Sequence, residues 1–463
     1  MKTSKVLAFV LALLLCVSVF AGCASQQANT EPTAEPTAEK PAENPEETEE
    51  TPTGVQEPAN KVEIEFWHIF PEGDDTFNYY EELVNNFNSK YENITVKHMG
   101  ISFWDYWTKI STSVAGGEGP DVGFYTTSDA KRRIDEGILV NLSDYFKKDE
   151  MSLDGYIQSQ FMYMQDDKGD LFAFPYGTPA RVLYYNKDMF AEAGLDPETP
   201  PTNWEELEAY ADKLTKFKDG NKEMIDVMGF DPVMGNFLFW TLAWTNGGDF
   251  FDDDLNPTIN SAKNVEALEY MVRLHTKYGK GAMQAFNSQA SALQIDPFAA
   301  GKAAMEVHNE GLYAIIKQNA PDLNFGVAPI PYQGDNRANW SSGFTLEIFE
   351  KGDQDKRDAA WLFFKELIST ENQVGFYERT GWLMSDKALF ELDSVKNDPV
   401  MKTLIEESEY AKNIEYVEAD TAWHVTITPF IEAALLLEKT PQEALDEAQA
   451  AVEKKIAAFN EQN

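Results

Sequence analysis

The chain has 463 residues, enough for two or three domains and a large core. It holds 38 Lys and Arg against 78 Asp and Glu, a formal charge of -40. Such a chain repels phosphate backbones and anionic lipid surfaces, which argues against nucleic-acid binding and against charge-driven docking on a membrane. Its 43% hydrophobic and 25% charged residues suit a globular body, and its 13% aromatics are on the high side.

In chain order, the first element is a leader. Lys2 and Lys5 precede an apolar run over 6–20 that ends in the small residues Ala21 and Gly22. This predicts a secretory signal peptide over 1–22, because the run is short for a bilayer span. "FAGC" is similar to a bacterial lipobox, with Phe20 where Leu, Val or Ile is usual. Cutting before Cys23 would leave a lipid-modified cysteine and a chain anchored at the extracellular face of the cytoplasmic membrane. Cys16 leaves with the signal, so the mature chain can form no internal disulfide or thiolate metal site. Residues 23–60 are rich in Pro, Thr, Glu and Ala, with the near-repeat "EPTAEPTAE" and almost nothing apolar. They read as a disordered tether spanning roughly 35 Å.

The body starts with "KVEIEFWHIF", whose alternation and β-branched residues predict a strand. "TFNYYEELVNNFNSKY" has helical spacing at Tyr80, Leu83, Val84 and Phe87. A strand "ITVKHMG", a helix "FWDYWTKISTSVAGGEG" stopping at Gly116 and Gly117, and a strand "PDVGFYT" complete a parallel-sheet pattern. The pattern then restarts. "LFAFPYGTPARVLYYN" is extended, "DMFAEAGL" is a short helix, and "PPTNWEELEAYADKLTK" starts a helix capped by Thr202, with Glu205 three residues on. Further helices, the strands "NFGVAPIP" and "SGFTLEIF", and two long C-terminal helices follow. The fold class is α/β, too long for one sheet.

Metal and enzyme signatures are weak. "DDDLN" places Asp252, Asp254 and Asn256 as a calcium loop would, but Pro257 and Lys263 stand where glycine and the bidentate glutamate belong. His68, His98, His275, His308 and His424 form no zinc-helix pair, and no nucleophile elbow or phosphate-cradling loop occurs. A glycoside hydrolase, needing only two carboxylates across a cleft, stays as the enzyme alternative.

Several segments resemble one family: the extracellular solute-binding proteins of ABC importers, carbohydrate branch, relatives of maltose-binding protein. "IEFWHIF", "GEGPDVGFY", "DEGILVNLSDY", "LYYNKDMFAEAGL" with "PPTNWEEL", "PFAAGKAAM", "FGVAPIP" and "TPQEALDEAQAAV" occur in the expected order. The resemblance implies a two-lobe periplasmic-binding-protein-like fold with hinge-crossing strands and a C-terminal helical region. Crossings are expected near 175–181, near 328–333 and soon after Phe349. The N-lobe would be 61–178 plus 331–350, and the C-lobe 179–330 plus 351–463. It further implies no enzyme activity, no cofactor, a carbohydrate ligand, an ABC permease as partner, and a monomer. A polyamine, a phosphorylated polyol or a peptide is the alternative ligand.

A pyranose has apolar C–H faces and polar edges, so its cleft mixes flat rings with amides, acids and arginine. Trp423 matches a family position that stacks on sugar. Tyr125 sits where a strand leaves the sheet, a usual place for ligand contacts. His68, beside Trp67, ends the first strand and is expected to face the cleft. Arg181 lies in the first crossing and could fork onto hydroxyls. Trp240 and Trp244 share a helix face, which alone suggests core packing. The resemblance puts that segment at the cleft wall, with Asn246 and Gly247 at the rim. Glu310 supplies a carboxylate where relatives often have glycine then tryptophan. Trp340 with Ser342, and Trp382, complete the set as loop residues.

Overall fold

The computed structural model describes residues 54–177, 180–293, 295–340 and 343–461. The signal segment, Cys23 and most of the tether lie outside the described residues. Among the described residues no helix is long and apolar enough to cross a membrane. In chain order the strands are β1 Val62–His68, β2 Ile94–Gly100, β3 Val122–Thr126, β4 Ala173–Pro175, β5 Val182–Asn186, β6 Lys216–Phe217, β7 Ile225–Val227, β8 Met305–His308, β9 Phe325–Ala328, β10 Asn339–Trp340, β11 Phe344–Ile348 and β12 Ala411–Lys412.

Two sheets organise the body. The first runs β2-β1-β3-β11-β4, with β1 parallel to β2 and β3, and β11 antiparallel to β3 and β4. The second runs β8-β5-β9, with β5 antiparallel to both neighbours. The chain leaves the first sheet after β4, builds the second, and returns with β11. The alternation of β1 explains its place: Val62, Ile64 and Phe66 are buried while Glu63 and Glu65 reach solvent. All five residues of β5 are buried, as a central strand covered on both faces requires.

Helices cover both sheets, and one boundary differs from the sequence reading. Residues from 351 onward were expected in the second lobe. Instead the helix Gln354–Ile368 packs on β1 and β11, and the helix Thr370–Thr380 packs on Asp75–Lys90. The cause is its apolar face: Phe363 meets Phe66 at 5.3 Å and Phe87 at 5.1 Å, and Phe364 meets Phe174 at 5.9 Å between ring centroids. Each such buried ring stabilises the body by about 2–3 kcal/mol. The chain reaches the second sheet only with the helix Pro399–Ser408, which packs on β5 and β9. The last helices, Trp423–Leu435 and Pro441–Asn460, pair with each other and with Ala262–Thr276.

Two smaller corrections concern ends. The helix Trp204–Leu214 is capped by Asn203, whose side chain accepts from the Glu206 N–H, rather than by Thr202. Thr202 instead donates its N–H and hydroxyl to the Glu206 carboxylate, so the reciprocal pair is shifted by one residue. The tether, drawn to residue 60, ends earlier as well. Val55 is buried and donates its N–H to Asp149 Oδ1 at 2.5 Å, and Glu57 accepts from the Asn93 N–H.

Candidate functional site

A cavity of about 570 Å³ lies between the two sheets' halves, within the range of small-ligand sites. Its two walls differ in chemistry. The first half supplies rings. Phe103 and Trp107 lie one turn apart on the helix Phe103–Ala115, so both project to one side. Trp107 stacks on Phe344 at 5.7 Å and 11°, and Phe344 stacks on Trp382 at 5.2 Å and 19°. Phe103 stands edge-on to Trp107 at 5.5 Å. Gly381 makes Trp382 possible: it ends the preceding helix at φ +71, a conformation that costs other residues. Thr126, Thr127 and Ser128, where β3 leaves the sheet, add hydroxyls beside the rings.

The second half supplies the polar groups. Arg181 is 2% exposed and well anchored. Its Nε donates to Asn236 Oδ1 at 2.9 Å, its Nη1 donates to the Trp340 carbonyl at 2.6 Å, and its guanidinium lies 4.1 Å from the Trp340 ring centre. Burial lowers its pKa to about 9, with Glu310 opposing, so the group stays charged at neutral pH. Its main work is therefore to fix Trp340 and Asn236.

Glu310 opens the helix Glu310–Asn319, which Asn309 caps by accepting from the Gly311 N–H. It is 3% exposed, and its Oε2 has no hydrogen-bond partner among the described residues. Burial raises its pKa to about 7, against its own backbone N–H and Arg181. A carboxyl with an unmet oxygen in a cavity is an acceptor for a ligand hydroxyl. His424 faces the same space. Burial lowers its pKa, with Asp420 and Asp129 opposing, so the ring is neutral near pH 7.

Of the residues expected from sequence, Arg181, Glu310, Trp340 and Trp382 line this cavity. Ser342 and Cys23 lie outside the described residues. The others are elsewhere, each for a physical reason. His68 is fully buried among Phe66, Phe77 and Tyr80, with Nε2 3.0 Å from His98 Nδ1. Burial, then His98, lowers its pKa to about 3. Tyr125 lies under the Arg133 guanidinium at 3.6 Å, with its hydroxyl 2.6 Å from Ser111 Oγ; the next three residues are the ones in the cavity. Trp423 is a core indole, fully buried between Phe250 and Phe251, and donates Nε1–H to the Glu415 carbonyl at 3.0 Å. Its neighbour His424 takes the exposed side.

Trp240 stands one layer back, edge-on to Trp340 at 5.2 Å and to His424 at 5.5 Å. Trp244 is buried against Phe250. Asn246 binds the Lys263 carbonyl, and Gly247 turns at φ +79 against Asn336, so that turn braces the helix Ala262–Thr276 instead of the cavity. The acidic "DDDLN" turn satisfies itself: Asp252 Oδ1 accepts from the N–H groups of Asp254 and Asn256. Sequence reasoning missed Phe103, Trp107, Phe344, Asn236, Asn309 and His424. The spacing of Phe103 and Trp107 in "FWDYW" was the one usable signal among them.

Two α/β halves facing each other across a cavity, one wall of rings and the other of hydrogen-bonding groups, define a protein built to capture a small polar ligand. The chain belongs to the bacterial extracellular solute-binding protein family, whose pattern matches residues 82–403. Members of this family bind solutes and are not enzymes, which removes the glycoside hydrolase alternative. The chain is 26% identical over 411 residues to the sn-glycerol-3-phosphate-binding periplasmic protein UgpB of Escherichia coli (strain K12), covering 83% of this chain and 90% of that one. The structure of CpMnBP1 with mannotriose bound is 26% identical, with a TM-score of 0.73 over 85% of this chain and 100% of that one. An ABC substrate-binding protein from Listeria monocytogenes in complex with cycloalternan shares the fold at 24% identity, with a TM-score of 0.72 over 86% of this chain and 100% of that one.

Proposed function

We propose that this solute-binding protein captures a sugar or short oligosaccharide outside the cell and delivers it to the permease of an ABC importer. The observation that carries this reading is the facing of the Trp107–Phe344–Trp382 ring wall and the Glu310, Asn236 and Asn309 edge. Rings accept the C–H faces of a pyranose, and the opposite edge accepts its hydroxyls. A phosphorylated polyol, the ligand class named for the UgpB relative, fits less well. A phosphate calls for several convergent cations. Arg181 is already bonded to Asn236 and Trp340, and Glu310 would repel the anion. A polyamine would meet Arg181 as a like charge.

The likeness to a mannotriose-bound structure puts manno-oligosaccharides at the head of a trial panel. In this reading the halves hinge at the segments linking the sheets, and ligand touching both walls favours the closed state. Cys23 would hold the mature chain at the membrane through its lipid. The test is a thermal-shift panel of saccharides, sn-glycerol 3-phosphate and spermidine, followed by small-angle scattering. A saccharide is expected to raise Tm and shrink the radius of gyration. A shift from the phosphate or the amine alone would overturn the sugar reading.

A further inference from the structure

We propose that Asp296, Glu306 and His308 form a divalent-metal site on β8 and the loop before it, with the donor set of a zinc site. One ligand atom from each lies within 4.8 Å of the others. Glu306 and His308 are two apart on β8 and so share a face of the strand. Asp296 comes from the preceding loop, where its Oδ1 accepts from the Phe298 N–H at 2.8 Å and so fixes the carboxylate.

The independent observation is the state of Glu306. It is 1% exposed, and neither carboxylate oxygen has a hydrogen-bond partner among the described residues. An unpaired buried carboxylate is among the costliest groups a fold can carry. Among the described residues each influence on it, burial and the neighbouring Asp296, disfavours the charged form. A Cβ on Gly235 would stand 2.6 Å from Glu306 Oε1, so glycine backbone closes over the carboxylate and leaves no space for a donor side chain there. Asp296 is a second acid, and Arg181 is engaged with Asn236 and Trp340. Burial and Asp296 together drive the Glu306 pKa well up, the condition that a bound cation would reverse.

One imidazole nitrogen and two carboxylate oxygens, with a fourth position for water, suit Zn²⁺. Ca²⁺ needs six to eight oxygens, and Mg²⁺ an octahedral oxygen shell. A zinc ion would hold such atoms about 3.5 Å apart, so side-chain rotations of about 1 Å would close the set. The ion would tie the 296 loop to β8, whose next residues, Asn309 and Glu310, line the cavity.

The test is calorimetric titration of chelator-treated full mature chain with ZnCl₂, and separately with CaCl₂, with bound metal counted by mass spectrometry. One Zn²⁺ per chain is expected, with no calcium response, and affinity should fall at least about tenfold in Glu306→Gln and in His308→Asn. The second variant keeps the test alive if the first fails to fold, which circular dichroism would reveal. Three results would overturn the proposal: no zinc binding, zinc bound equally by both variants, or calcium bound in preference.

Discussion

The two walls of the cavity are made from different halves and by different chemistry. The wall from the first half is a continuous row of rings, Phe103, Trp107, Phe344 and Trp382, whose Trp382 end packs on Phe70 and Phe376. The wall from the second half is a hydrogen-bonded frame in which Arg181 positions Trp340 and Asn236, and Glu310 keeps an open acceptor. Neither half holds a ligand alone: one offers area without direction, the other direction with little area. Selectivity therefore arises only when both meet the same molecule.

The largest effect is expected behind the walls. Trp423→Ala should cost about 3–5 kcal/mol of stability by leaving a cavity between Phe250 and Phe251, read by chemical denaturation, while ligand Kd changes less than about threefold in protein that stays folded. Acid comes next. The folded pKa of His68, about 3, lies below the ordinary value. Its contribution is therefore present above about pH 6.5 and lost as pH falls toward 3. The ligand-free protein should lose about 4–5 kcal/mol over that window through this residue. Denaturation at stepped pH should show a shallower slope in His68→Leu.

Within the walls, Trp382→Ala should weaken saccharide binding by about 2–3 kcal/mol, roughly 30- to 150-fold. It should cost less stability than Trp423→Ala, because Trp382 is not fully buried. Glu310→Gln keeps the shape and removes the charge, and should cost about 1.5 kcal/mol, near tenfold, in the same calorimetric assay. If the two losses simply add, the walls act independently; a smaller sum would show that ring and carboxyl grip one sugar unit together.

Much of the fold was legible because periodicity is local. β1, β2, β3 and the helices between them follow directly from alternation and helical spacing. What spacing cannot tell is which half covers an apolar face. The face of Gln354–Ile368 carrying Phe363 and Phe364 fits either sheet by pattern, and only the assembled core assigns it to β1 and β11. The site divides along the same line. Trp340, at the end of the two-residue strand β10, and Trp382, just past the helix Thr370–Thr380, each keep part of the ring uncovered and were found. Trp240, Trp244 and Trp423 lie on helices, where neighbouring elements bury one side, and a shift of one residue separates the core indole Trp423 from the cavity imidazole His424. His68 was misjudged because a strand end can still be roofed: Phe77 and His98 cover it.

The most direct measurement is isothermal titration of the protein with a saccharide that stabilises it, repeated on Trp382→Ala and Glu310→Gln. One saturable site is expected, weakened by removal of either wall. That expectation would be contradicted if sn-glycerol 3-phosphate bound more tightly than every saccharide tried, or if saccharide bound the wild type and both variants alike.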